Sequence, residues 1–102
     1  MTIKMESTPL VSVIMNCFNS EQFLKQAIQS VISQTYSNWE LIFWDNGSTD
    51  KSSNIVSDFS DERIKYFYNE ETLLLGEVRN LALNNISGEF VAFLDCDDLW
   101  AD

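Results

Sequence analysis

Four short β-rich apolar runs alternate with three segments of helical character, and this alternation constrains the fold more than any other feature of the chain. "LVSVIMN" (10–16) follows the single proline, Pro9. "SEQFLKQAIQSVISQ" (20–34) then changes period: Phe23, Leu24, Ala27, Ile28, Val31 and Ile32 recur at three-to-four spacing and make one apolar helical face. Ser20 stands where an N-cap belongs. "WELIFWD" (39–45) is a second strand, and "NGSTD" after it is turn chemistry, with Asp50 placed to cap a short helix over 51–59. "RIKYFYN" (63–69) alternates and reads as a third strand near an edge. "GEVRNLALNNIS" (76–87) reads as a helix stopped by Gly88, and "EFVAFLD" (89–95) is the fourth strand. The order β-α-β-α-β-α-β predicts an α/β domain with a doubly wound, mostly parallel sheet, strand order 3-2-1-4, and helices on both faces. Residues 1–8 are expected to be an N-terminal extension and 9–102 the domain. The last strand ends just before the sequence does, which is expected of a cut through a larger domain.

Composition narrows the function. With 102 residues the chain holds one modest core, and 45% hydrophobic and 13% aromatic content is that of a folded domain. A net charge of −10 argues against nucleic acid and anionic membrane as partners and favours cations. No apolar run approaches the roughly 20 residues of a membrane span, and "MTIKMESTPL" lacks the apolar stretch of a signal peptide. Cys17 and Cys96 are too few for a disulfide scaffold or a zinc site, so reduced thiols and a cytoplasmic location are expected.

The fourth strand runs into "DCDD". Ligands of open parallel sheets bind outside the carboxyl ends of the strands. Asp45, at the end of strand two, and Asp95 and Asp97, at the end of strand four, are therefore expected on one rim. Carboxylates gathered there repel unless a proton or cation intervenes. Mg²⁺ or Mn²⁺ suits such oxygen donors and brings a diphosphate with it. The plainer alternative is that Asp97 and Asp98 are solvated loop residues, since D-x-D is a short and common pattern.

Four segments in order, "VSVIMNCFNSEQFLKQAIQSVISQT", "ELIFWDNGSTD", the "RN" at 79–80 and "GEFVAFLDCDD", resemble the nucleotide-sugar-binding half of family 2 glycosyltransferases, which have the GT-A fold. The resemblance covers about residues 9–100. It implies that "NCFN" (Asn16, Cys17, Phe18, Asn19) cradles the base, with Phe18 stacking on it. It implies that Asp45 and Asn46 contact base and ribose, and that Arg79 lies near the base or diphosphate. Asp95 would contact ribose or metal, Asp97 would ligate Mg²⁺ or Mn²⁺, and Asp98 stands beside them. Without the resemblance, Phe18 reads as loop packing, Arg79 as a solvated helix residue, and Trp39, Trp44 and Trp100 as packing.

The family usually carries proline or a small polar residue at Asn16, and two aspartates at Asp45-Asn46. An amide at 46 donates as well as accepts, which bears on the choice of base. The family's general base comes from a later segment. The implied function is the donor-binding part of an inverting glycosyltransferase acting in cell-surface polysaccharide or glycoconjugate synthesis, inactive as this fragment alone. In the full-length protein it would sit in the cytoplasm or at the inner face of the membrane. Three other readings compete. One is a haloacid-dehalogenase-type phosphohydrolase, whose D-x-D belongs on the first strand rather than the last. Another is a receiver-type signalling domain, whose acidic pair should follow strand one. The third is a non-enzymatic fragment that oligomerises. Self-association through the outer edge of strand four is expected in any case, because that edge is an unpaired template.

Overall fold

A computed structural model describes residues 9–94. The element order is β1 (Val11–Cys17), α1 (Glu21–Ile32), β2 (Trp39–Asn46), α2 (Ser52–Ser57), β3 (Ile64–Asn69), α3 (Leu75–Leu83) and β4 (Phe90–Phe93). The strands form one parallel sheet in the order β3-β2-β1-β4. This is the doubly wound arrangement that the alternation predicts.

The two central strands explain the apolar runs. β2 is buried along its whole length, as a strand covered on both faces must be. On one face α1 and α2 press Leu24, Ala27, Ile28, Val31 and Val56 against Val13, Met15, Leu41 and Phe43. On the other, Val78 and Ala82 of α3 pack on Ile14, Ile42 and Trp44. Each fully buried Leu, Ile or Phe contributes about 1.5–3 kcal/mol, so these two layers hold the elements in place. Trp39 and Trp44 are packing residues, as expected, while Phe23 departs from the α1 face and is exposed.

The helix boundaries differ from the expectation, for tertiary reasons. α3 ends at Leu83, with Asn84 as its C-cap, and Gly88 does not stop it. Gly88 instead lies against β1: a Cβ there would come within 2.6 Å of Ser12 Oγ and 2.7 Å of the Leu10 carbonyl oxygen. Its N–H donates to Ser12 Oγ at 2.8 Å. This close approach requires glycine. Ser20 does precede α1, but its hydroxyl donates to the Phe18 carbonyl rather than capping the helix.

The amino end of the sheet is closed by a buried carboxylate. Glu40 accepts from Ser12 Oγ at 2.6 Å, from Lys65 Nζ at 2.7 Å and from the Ser87 N–H at 2.6 Å. Burial alone would raise its pKa, but the Lys65, Ser12 and Ser87 bonds outweigh it and hold Glu40 below its ordinary value. Beside it, Arg63 grips Asp61 with two nitrogens, donates to the Ser37 carbonyl and lies 3.7 Å over the Trp39 ring. No helix among the described residues is long and apolar enough to cross a membrane.

Candidate functional site: the carboxyl rim of the sheet

The opposite end of the sheet carries the residues singled out from sequence. β1 delivers Asn16 and Cys17 and then the exposed ring of Phe18, half of whose surface meets solvent. β2 ends on Asp45 and Asn46. The two loops are braced together. Asn19 adopts a positive φ of 48°, which asparagine tolerates better than most residues. Its side-chain oxygen accepts the N–H groups of Thr49 (2.8 Å) and Asp50 (3.3 Å), while its own N–H donates to Ser48 Oγ at 2.8 Å. Asp50 accepts the Glu21 N–H at the start of α1 and the Ser52 N–H at the start of α2. Its burial would raise its pKa, and the bonds from Ser52 and Glu21 lower it. Asp50 therefore serves both helix starts, where only α2 was expected.

Asp45 is 1% exposed. One oxygen accepts the Ser48 N–H at 2.9 Å and the other accepts the Tyr66 hydroxyl at 2.6 Å. Burial, then the bond to Asp45, pushes the Tyr66 phenol well up. Tyr66 stacks on Phe43 and keeps Asp45 in one orientation. Asn46 turns the other way and bonds the segment before α3: its Nδ2 donates to the Leu73 carbonyl at 2.9 Å and its Oδ1 accepts the Leu73 N–H at 2.8 Å.

Arg79 sits on α3 with its guanidinium 5.2 Å from the Phe93 ring. Its Nε is buried and finds no hydrogen-bond partner among the described residues. A buried donor without an acceptor is costly. Asn16 is half-buried at the end of β1. The described structure thus brings Phe18, Asn19, Asp45 and Asn46 to one rim and puts Arg79 on α3. Asn19, Asp45 and Asn46 each also have protein partners there. Sequence reasoning missed Tyr66, Ser48 and the Leu73 backbone. Tyr66 reads as one more residue of an alternating edge strand, and a backbone partner leaves no signal in a sequence.

Asp95, Cys96, Asp97, Asp98 and Trp100 lie outside the described residues. Among the described residues no group of three or more potential ligands could hold a metal ion, and both Asp45 oxygens are occupied. The expected metal ligands, Asp95 and Asp97, are among the residues outside the described structure. Cys17, at the tip of β1, is disulfide-bonded. This overturns the expectation of a reduced thiol.

Comparison with known proteins supplies the family. The Glycosyl transferase family 2 sequence model matches residues 12–102. The chain is 47% identical over 91 residues to the Escherichia coli UDP-Glc:alpha-D-GlcNAc-diphosphoundecaprenol beta-1,3-glucosyltransferase WfgD, covering 89% of this chain and 36% of WfgD. It is 40% identical over 94 residues to the putative teichuronic acid biosynthesis glycosyltransferase TuaG of Bacillus subtilis, covering 90% of this chain and 37% of TuaG. Among solved structures, S. aureus TarS 1–349 in complex with UDP-GlcNAc superimposes with a TM-score of 0.83 at 32% identity, over 87% of this chain and 27% of that TarS 1–349 chain. The mannosyltransferase PcManGT from Pyrobaculum calidifontis, in complex with GDP-Man and Mn²⁺, gives 0.85 at 25% identity, over 92% of this chain and 29% of PcManGT. The chain spans little more than a third of the length of WfgD and TuaG. With the GT-A sheet and the matched family model together, the chain belongs to glycosyl transferase family 2.

Proposed function

We propose that this chain binds the nucleotide-diphosphate sugar donor of an inverting glycosyltransferase that passes a sugar to an acceptor hydroxyl in cell-surface polysaccharide or glycoconjugate synthesis. The observation that carries the reading is the rim itself. An exposed Phe18, a fixed Asp45 and the unpartnered Nε of Arg79 lie at or beside the carboxyl edge of a 3-2-1-4 sheet. Phe18 offers a stacking face for the base and Arg79 a donor for base or diphosphate oxygens. Asn16 and Asn19 shape the loop beneath the base. Asp95 would contact ribose or metal and Asp97 would hold Mg²⁺ or Mn²⁺, which when bound would offset charge on the departing diphosphate. Two solved relatives, TarS and PcManGT, are complexes with UDP-GlcNAc and with GDP-Man and Mn²⁺, which supports this class of ligand.

The family draws its general base from a later segment, so the 102-residue chain alone binds donor without measurable transfer. In the whole protein the domain works in the cytoplasm or on the inner membrane face. The outer edge of β4, with Phe90, Val91 and Phe93 exposed, lets this chain self-associate. Its net charge acts over only about 8 Å at physiological salt and does not protect that edge at contact.

Calorimetry with UDP and GDP tests the donor reading. Binding is expected to be stronger in Mn²⁺ than in EDTA, and Asp97→Ala should remove the difference. Equal affinities with and without metal would sink the metal role, and robust sugar transfer by the isolated chain would refute the need for a later base.

A further inference from the structure

Asp45 and Asn46 are adjacent in sequence, yet successive strand residues point to opposite faces of a sheet. Asp45 faces Ser48 and Tyr66, and Asn46 faces the segment that leads into α3. The Asn46 amide meets the Leu73 backbone in a two-bond pair, 2.9 Å from Nδ2 to the carbonyl and 2.8 Å from the Leu73 N–H to Oδ1. Its Oδ1 also accepts Asn69 Nδ2 at 2.8 Å. A side-chain amide has two donor hydrogens and two acceptor sites, so a single N–H is left for any ligand. Asn69 is itself held by the Trp44 indole and by the Glu71 carbonyl. The next residue after the clamp, Leu74, gives its N–H to Glu77 at 3.2 Å as α3 begins.

We infer that Asn46 is a positioning residue for the donor site: it clamps the segment from Asn69 to Leu74, sets the start of α3 and thereby fixes Arg79, and it does not read the base. A carboxylate at 46 could accept the Leu73 N–H but would face the Leu73 carbonyl with no hydrogen to give. Only an amide closes both bonds. The inference rests on the donor-binding reading above, and its test separates the two.

Amide hydrogen exchange by NMR examines the clamp without ligand. In Asn46→Ala the Leu73 N–H should exchange about tenfold faster. The Ser48 N–H, bonded to Asp45, should be unchanged, which also reports an intact sheet. Unchanged Leu73 exchange overturns the clamp. Calorimetry with UDP and GDP in Mn²⁺ then examines the role. Asn46→Ala should lose affinity for both nucleotides by the same factor, about tenfold. The Asn46→Ala/Arg79→Ala double variant should bind no more weakly than Arg79→Ala alone, because both act through one contact. A loss confined to one base, or losses that add, would mean that Asn46 touches the nucleotide directly and would overturn the inference. If Ser48 also loses protection in Asn46→Ala, Asn46→Asp, which keeps the Leu73 acceptor, carries the same two-nucleotide comparison. Failure of wild-type protein to bind either nucleotide defeats the donor reading, while the exchange result still decides the clamp.

Discussion

The two ends of the sheet are built from similar residues and use them differently. At the amino end, the Glu40 carboxylate is shared by Ser12, Lys65 and the Ser87 N–H, and Arg63 is closed by Asp61, Ser37 and the Trp39 ring. Charge there is spent on protein partners. At the carboxyl end, Asn19, Asp45, Asn46 and Asp50 spend their hydrogen bonds on loops, and those loops then present Phe18 to solvent. Arg79 keeps a buried donor without an acceptor among the described residues. Polar residues lock the chain at one end and build a platform at the other. This division separates groups that hold the fold from groups that meet a ligand.

The contrast is broken most severely at the amino end. Gly88→Ala forces a methyl into the Leu10 carbonyl and Ser12 backbone, and should cost about 3 kcal/mol in urea unfolding. Glu40→Ala strands the Ser12 hydroxyl and the Ser87 N–H and should cost about 2–3 kcal/mol. If either variant unfolds at the wild-type midpoint, this end is not a lock. Asn19→Ala removes two accepted bonds at a positive φ, which asparagine tolerates better than alanine. It should cost about 1–2 kcal/mol and weaken nucleotide binding, whereas the amino-end variants should leave the binding of the folded fraction unchanged.

Acid sharpens the comparison. The pKa of Glu40 is lower folded than its ordinary 4.5, so its contribution is present above 4.5 and is lost as pH falls through the folded value. Wild-type stability should fall across that window, and Glu40→Gln should flatten part of the fall. Parallel acid profiles would remove Glu40 from the account. A smaller effect is expected at the β4 edge. If Phe90 and Val91 support self-association, Val91→Lys should lower the sedimentation coefficient at high protein concentration, and a monomer in both proteins would end that idea.

The fold was legible because it rests on periodicity. Runs such as "LIFW" are apolar throughout only if both faces of the strand are covered, and β2 is covered on both. The end of α3 was not legible, because Gly88 answers to Ser12 across the sheet and not to its helix neighbours. The site was legible as positions more than as roles. Asp45 and Asn46 stand at the rim as the sequence suggests, but the pleat sends them to opposite faces. No local pattern announces that Tyr66 and Leu73 receive them. Glu40 had no signal either, since a carboxylate in an apolar strand acquires its three donors only when distant segments meet.

The division between lock and platform is tested most directly by NMR titration of the labelled chain with UDP and Mn²⁺. Resonances of Phe18, Asn46 and Arg79 should shift with concentration, while those of Ser12, Glu40 and Ser87 at the other end stay fixed. Shifts centred on the amino end, or no shifts at either end, would contradict the account.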